Sequence, residues 1–367
     1  MKIEGTQDKL EKYIKVAEKY VGKNPTLPVL SCLYFEVKKE NLLIRATNLD
    51  VGFEIEIPVK VKEEGIICVP SGLISNFIQT LKQDKNINLE TKDGNLIISG
   101  QKTSALIKCL PSEDFPTIPH LITDKKFKIN SNDFVLGLRS VYYSSSISTI
   151  KPELASVYIY KNEDFLVFCA TDSFRLAEKK IRVKNIDNIN ESILIPARNI
   201  PQIINTLEFI NDVVEVLIGN GQVSFVYNNL YFTSRIIEGN FPDYKQIIPK
   251  EFKTDVVVLK QDFINALKRT VIFSDTFNNI IIKVDSLKKN LSISTKSGEL
   301  GENENNIDVV IKGESLDIRF NYKYIMDCFQ SINTDSVSLK FLTQHQPMVV
   351  KGVSDQSFTY LVMPMNK

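Results

Sequence analysis

Ala46-Thr47-Asn48-Leu49-Asp50 returns 124 residues later as Ala170-Thr171-Asp172-Ser173-Phe174, and a further 124 residues on, weakened, as Ser294-Thr295-Lys296-Ser297-Gly298. Two equal offsets speak against chance. The flanks repeat as well. Val69-Pro70-Ser71 opens a helix-like stretch ending at Leu81, Ile195-Pro196-Ala197 opens one ending at Leu207, and Arg319-Phe320-Asn321 opens one ending at Ile332. A period of this length exceeds a solenoid unit and matches one small domain. The chain therefore reads as three copies of one domain in series, spanning 1–121, 127–249 and 253–367.

Within the second copy, the spacing of Phe134, Val135, Leu138 and Val141 predicts a helix over 132–144 with Ser131 as its cap. Paired strands are expected at 155–160 and 165–170, turned by Asn162-Glu163-Asp164, and the sheet continues over 176–183. A second helix follows at 200–209, then a meander at 213–218, 222–227 and 230–238. Each copy is thus expected to place two helices on one mainly antiparallel sheet, an α+β arrangement. Phe115-Pro116-Thr117-Ile118-Pro119 and Phe241-Pro242-Asp243-Tyr244 through Ile248-Pro249 read as short linkers, because proline favours extended backbone without donating ladder bonds.

With 367 residues and 43% hydrophobic content, the chain can build two or three cores. The start lacks a basic-then-apolar pattern and no apolar run reaches the ~18 residues that would span a bilayer, so a cytoplasmic protein without membrane contact is expected. Cys32, Cys68, Cys109, Cys169 and Cys328 are odd in number and scattered among apolar neighbours, the pattern of reduced core thiols. Catalytic chemistry finds little support. His120 and His345 are the only histidines, and no Cys-x-x-Cys, His-Glu-x-x-His, phosphate loop or Gly-x-Ser-x-Gly elbow is present. Asp172 has no carboxylate counterpart in the aligned positions of the other copies. A protein that works by binding, with no cofactor and no metal, is the expectation.

The 45 Lys and Arg against 44 Asp and Glu leave a net charge of +1, so distribution has to decide what the charge does. Lys9, Lys12, Lys15 and Lys19 fall within a ~120° arc of the first helix, while Leu10, Tyr13, Ile14, Ala17, Tyr20 and Val21 cover most of the opposite side. Such a stripe can follow a phosphate backbone. Taken alone, it reads first as a solvated face edged by Glu11 and Glu18.

Four motifs held in order and spacing narrow the reading: Ala170-Thr171-Asp172-Ser173-Phe174-Arg175-Leu176-Ala177, Phe241-Pro242-Asp243-Tyr244 with Ile248-Pro249, Asn24-Pro25-Thr26-Leu27-Pro28-Val29-Leu30, and Val362-Met363-Pro364-Met365. Together they resemble the bacterial DNA polymerase III sliding clamp, its beta subunit, from Met1 to the last residues. The resemblance implies a DNA clamp fold of three tandem two-helix, antiparallel-sheet domains and a ring-forming head-to-tail homodimer. It also implies a non-catalytic processivity subunit that holds double-stranded DNA without reading sequence. The DNA-facing residues would be Lys9, Lys12, Lys15, Lys19, Lys23, Asn24 and Lys82 in the first copy, Arg139 and Arg198 in the second, and Lys268 and Arg269 in the third. The ring would close through Leu106 and Ile107 of one chain against Ile272 and Phe273 of the other.

A groove between the second and third domains is also implied, taking peptide motifs of the replicative polymerase, the clamp loader, repair polymerases and other clamp-motif proteins. Its residues would be Leu154, Thr171, Ser173, Phe174, Arg175, Leu176, Pro242 and Ile247, with Phe277, Asn321, Tyr324, Pro347, Val362, Met363, Pro364 and Met365. Methionine, leucine and proline side chains suit an adaptable apolar pocket, and Arg175 and Asn321 are expected to fix polar groups of the peptide. The chain departs from the common pattern at Ser173-Phe174, where Gly-His is frequent, at Asn24, where arginine is frequent, and at Asn366-Lys367. Two other classes compete: a three-domain protein-interaction scaffold without DNA encirclement, which needs no basic bore, and an enzyme, which needs carboxylates that do not recur.

Overall fold

The computed structural model describes residues 1–184, 191–219 and 221–365. Asn366 and Lys367, one of the departures noted above, lie outside the described residues. Among the described residues, contacts divide the chain into one unit of 1–132 and 199–236 and a second of 133–184, 191–198 and 237–365.

The motif that repeats is a hairpin turn. Thr47 Oγ1 donates to the Val51 carbonyl at 2.7 Å and accepts from the Leu49 N–H at 3.0 Å. Asn48 Oδ1 accepts from Asp50 and Val51 N–H at 3.0 and 2.9 Å. Thr171 and Asp172 make the same four bonds to Arg175, Ser173, Phe174 and Arg175 again. Leu49 and Ser173 sit at matching left-handed φ values of 77° and 76°. In the third copy the geometry shifts: Thr295 Oγ1 donates to Asn279, and Ser297 Oγ takes the N–H groups of Glu299 and Leu300. Short oxygen-bearing side chains that close such turns locally are what made the period visible.

The first two turns each launch a strand that pairs beyond its own copy. Val51–Pro58 pairs antiparallel with Leu230–Arg235, and Arg175–Arg182 pairs antiparallel with Phe358–Val362. The expectation of one sheet per copy is therefore corrected. Each copy divides its strands between two sheets, and at each junction one sheet is shared. An eight-stranded sheet joins strands of the first and second copies, and a nine-stranded sheet joins strands of the second and third. Sharing gives both strands at each junction a full ladder where each alone would present an open edge. A five-stranded sheet in the first copy ends on Ser104–Ile107, and a four-stranded sheet in the third ends on Gly301–Asp308.

Six helices accompany these sheets among the described residues: α1 (Gln7–Ala17), α2 (Ser71–Thr80), α3 (Ser131–Val141), α4 (Ile200–Ile210), α5 (Lys260–Val271) and α6 (Tyr322–Cys328). As the periodicity requires, Leu10, Ile14 and Ala17 of α1 are buried. Tyr20, just beyond α1, packs on Phe53 and bonds Thr206 of α4 through its hydroxyl at 2.6 Å. Ser131 does not cap α3: it is buried within the helix and its Oγ accepts from the Asp212 N–H, while Asn130 Oδ1 takes the Asn132 N–H. The last residues of the expected helix, Tyr142–Ser144, form a 3-10 turn. The five cysteines are free, and four of them are buried. No helix among the described residues is long and apolar enough to cross a membrane.

In the second unit, α3 lies directly on the strand Phe165–Thr171. A Cβ at Gly137 would come within 2.4 Å of the Phe168 ring, which packs edge-on against Phe134. Gly137→Ala therefore overpacks the core. We expect a loss of about 1–3 kcal/mol in urea-induced unfolding; unchanged stability would show that the helix can lift without cost.

Candidate functional site

The left-handed Ser173 turns the chain so that Phe174 projects outward, 59% exposed, with its ring stacked on Tyr324 at 6.2 Å and 14°. Arg175 follows. Its guanidinium lies 4.9 Å over the same Tyr324 ring, and its Nε donates to Asp172 Oδ2 at 2.9 Å. Nη1 donates to the carboxylate of Asp327, one turn along α6 from Tyr324. A mostly buried guanidinium requires such partners. Two of its three nitrogens, Nε and Nη1, thus tie the turn to α6. Asn321 is likewise engaged, its Oδ1 capping α6 through the Lys323 N–H at 3.0 Å.

The C-terminal segment is docked. Val362 pairs with Arg175 at the end of the ladder, Met363 N–H donates to the Phe174 carbonyl at 2.8 Å, and Met365 N–H donates to the Arg319 carbonyl at 2.9 Å. Met363, Pro364 and Met365 are half-buried beside the turn. Phe174, Arg175, Tyr324 and this tail are thus brought together by direct contact. Leu154, Thr171, Leu176, Pro347 and Val362 are buried, so they form supporting wall rather than open surface. Ser173, Pro242, Ile247 and Phe277 are exposed. Phe277 sits in the loop before Asn279, which pairs with Asn321.

Reading by residue type missed Asp327, Tyr143 and Tyr360. Asp327 stands three positions after Tyr324, a helical spacing that puts both on one face. Tyr143 lies under the Arg175 guanidinium, and Tyr360 donates its hydroxyl to the Tyr324 carbonyl at 2.7 Å.

The basic candidates are described within each unit. Lys9, Lys12, Lys15 and Lys19 are all exposed along one face of α1 and the turn after it. Lys12 Nζ lies 4.4 Å over the Phe209 ring, and Lys15 is 3.8 Å from Glu11. Lys23 and Lys82 are exposed, whereas Asn24 folds back to accept from Thr26 N–H and Oγ1. In the second unit Arg139, Arg198, Lys268 and Arg269 are exposed, and Arg269 Nε donates to Asn305 Oδ1 at 2.7 Å. Of the residues expected at the ring contact, Leu106 is 53% exposed but Ile107 only 6%. Strand alternation turns Ile107 into its own core, which corrects its assignment as an anchor. Ile272 is exposed and Phe273 half-buried.

A threefold internal repeat with sheets shared between copies, and helices packed on those sheets, is the architecture of a DNA clamp. Residues 1–119 match the N-terminal domain of the DNA polymerase III beta subunit, 128–243 its central domain and 245–366 its C-terminal domain. The beta sliding clamp of Synechococcus elongatus is 25% identical over 371 residues, covering 100% of this chain and 99% of the relative. That of Staphylococcus aureus is 25% identical over 358 residues, covering 95% and 94%. The solved DNA polymerase III beta subunit of Thermotoga maritima superposes with a TM-score of 0.94 at 25% identity, over 100% of this chain and 99% of that one. The Pseudomonas aeruginosa subunit shares the fold with a TM-score of 0.94 at 24% identity, over 100% of both chains. The chain belongs to the DNA polymerase III beta subunit family. Its function is that of a sliding clamp, a processivity subunit in DNA replication.

Arg175→Ala removes the partner of Asp172 and Asp327 and leaves their carboxylates facing half-buried aromatic surface. Breaking a buried pair costs about 3–5 kcal/mol, and the partial exposure of Asp327 brings the expected loss to about 2–3 kcal/mol in denaturant unfolding. A loss below about 1 kcal/mol would mean that the turn holds without α6.

Proposed function

We propose that two copies close head to tail into a ring around duplex DNA, with domains spanning 1–121, 127–249 and 253–367. The observation that carries this reading is a pair of open strand edges. At both internal junctions, the strand after the repeated turn pairs with the last strand of the following copy. Gly301–Asp308 follows the turn in the third copy, and Ser104–Ile107 is the last strand of the first. By the same rule each needs the other, supplied by a second chain. Glu299, Glu302 and Glu304 mark one edge and Lys102 and Lys108 flank the other, so the charges agree. A head-to-tail contact of this kind gives a closed ring or an open fibre, and the six domains of two chains are the family's closed solution.

Within the ring, the exposed lysines and arginines attract phosphates without reading bases, which permits sliding. The chain acts without catalysis, in the cytoplasm. Short apolar peptide motifs of the replicative polymerase, the clamp loader and repair polymerases dock on the surface formed by Phe174, Pro242, Ile247 and Met363–Met365. Retention on circular DNA that is lost on linearisation tests encirclement; equal retention on both would leave ordinary DNA binding.

Closure depends on Ile272 and Phe273 as apolar anchors against the edge that carries Leu106. Burying each contributes about 1.5–3 kcal/mol, so Ile272→Ala with Phe273→Ala should give monomers in size-exclusion chromatography with mass measurement. A double variant that stays dimeric at submicromolar concentration places the interface elsewhere.

Deleting Met363 to Lys367 removes two backbone bonds at the chain end and should preserve the fold. Peptides of micromolar affinity have about 8 kcal/mol in total, so losing two apolar anchors should weaken them tens-fold or more. A fluorescent peptide copying the polymerase tail, titrated against the full-length and truncated chains, decides the matter. Equal affinities discard the groove.

A further inference from the structure

The segment that follows the second copy's last strand carries two exposed groove residues, Pro242 and Ile247, on either side of a buried tyrosine. Tyr244 packs its ring among Cys169, Leu176, Val349 and Leu361. Its hydroxyl donates to Glu178 Oε2 at 2.5 Å and lies 2.8 Å from the hydroxyl of Tyr160, which is left to donate in turn. Glu178 is itself buried, with Lys180 Nζ at 3.4 Å from its other oxygen. Phe241 stacks flat on Tyr158 at 4.7 Å. Burial, reinforced by Cys169 and Glu178, pushes the Tyr244 phenol far above its ordinary range, so it remains a donor at any pH the fold survives.

The first junction supplies an internal comparison. Tyr34 and Phe115 stand 124 and 126 residues before Tyr158 and Phe241, and their rings pack at 5.0 Å, tilted by 34°. Glu54, 124 residues before Glu178, receives Arg45 Nε at 2.6 Å and lies 3.2 Å from His120 Nε2. The position of Tyr244 is taken by Ile118, buried against Gly52, where an added Cβ would come within 2.9 Å of it. Both connecting segments are therefore fastened by an aromatic pair and a buried or half-buried carboxylate. Only at the second junction do the hydrogen-bond donor and the groove wall belong to the same few residues.

We infer that Tyr244 is a positioning residue for the peptide groove: by donating to Glu178 it sets how far Pro242 and Ile247 stand above the shared sheet. The inference rests on the groove reading above. Loss of the hydroxyl leaves the ring in place but frees the segment to rise or tilt, and the two walls move with it. Affinity for a peptide that spans those walls then falls without any contact residue having changed.

Tyr244→Phe separates this from a general effect on folding when set beside Glu54→Gln, which loosens the equivalent fastening at the first junction. Both variants should lose some thermal stability. With the fluorescent polymerase-tail peptide, Tyr244→Phe should bind about tenfold more weakly, and Glu54→Gln within about twofold of the unaltered chain. Tyr244→Phe binding like the unaltered chain, or both variants weakening alike, would overturn the inference while leaving the groove in place. If removal of residues 363–367 does not change peptide affinity, the groove reading itself fails and takes this inference with it.

Discussion

Continuity of the hydrogen-bond ladder from one copy into the next is the interaction on which the rest of the structure depends. Asp50 and Phe174 end their turns with carbonyls that accept from Arg235 and Met363, each at 2.8 Å. The two bonds are equivalent, and they explain why a turn motif recurs where the copies meet. A turn that left its outgoing strand at a sheet edge would present unpaired N–H and C=O groups, and the next copy's last strand removes that edge. The copies are thus joined by main-chain bonds rather than by side-chain contact alone. Registry at each junction is consequently set by the pleat and not by the connecting segment.

That constraint changes what the proline-bearing segments are for. Prolines withhold ladder donors, so these residues cannot join the shared sheet as strands and lie across its face instead. Tyr244 is 3% exposed and Ile118 7%, values of core residues rather than of spacers. Their side chains supply apolar cover to one face of each shared sheet. Cys169 and Leu361, on the strands either side of Arg175–Arg182, are sealed by Tyr244 in this way.

Much of this was legible in the residues. The Thr-Asx turns, the amphipathic first helix and the antiparallel strands each follow from local side-chain chemistry, which acts within a few positions. Sheet sharing was not legible, because Val51 and its partner Ser234 are far apart in the chain and alternation specifies a face but not a neighbour. The commitment of Arg175 was hidden for the same reason: Asp327 lies 152 residues away. Ile107 was a different kind of miss. The alternation that buries it and exposes Leu106 is present in the sequence itself, within the single strand Ser104–Ile107.

The candidate groove residues divide by burial, and the division separates those that the sheet constrains from those it does not. Leu176 and Val362 answer to the packing of a nine-stranded sheet, where a change of one methylene is felt by every neighbour. Phe174 answers to little besides its stack on Tyr324, since the turn beneath it is held by Thr171 and Asp172 through backbone bonds that any residue but proline at 174 can make. A side chain can be exchanged there without disturbing the ladder, whereas the walls below it cannot. Variation in what the proposed groove prefers is therefore expected at its rim, with the supporting sheet unchanged, and Phe174 is the rim residue of this chain.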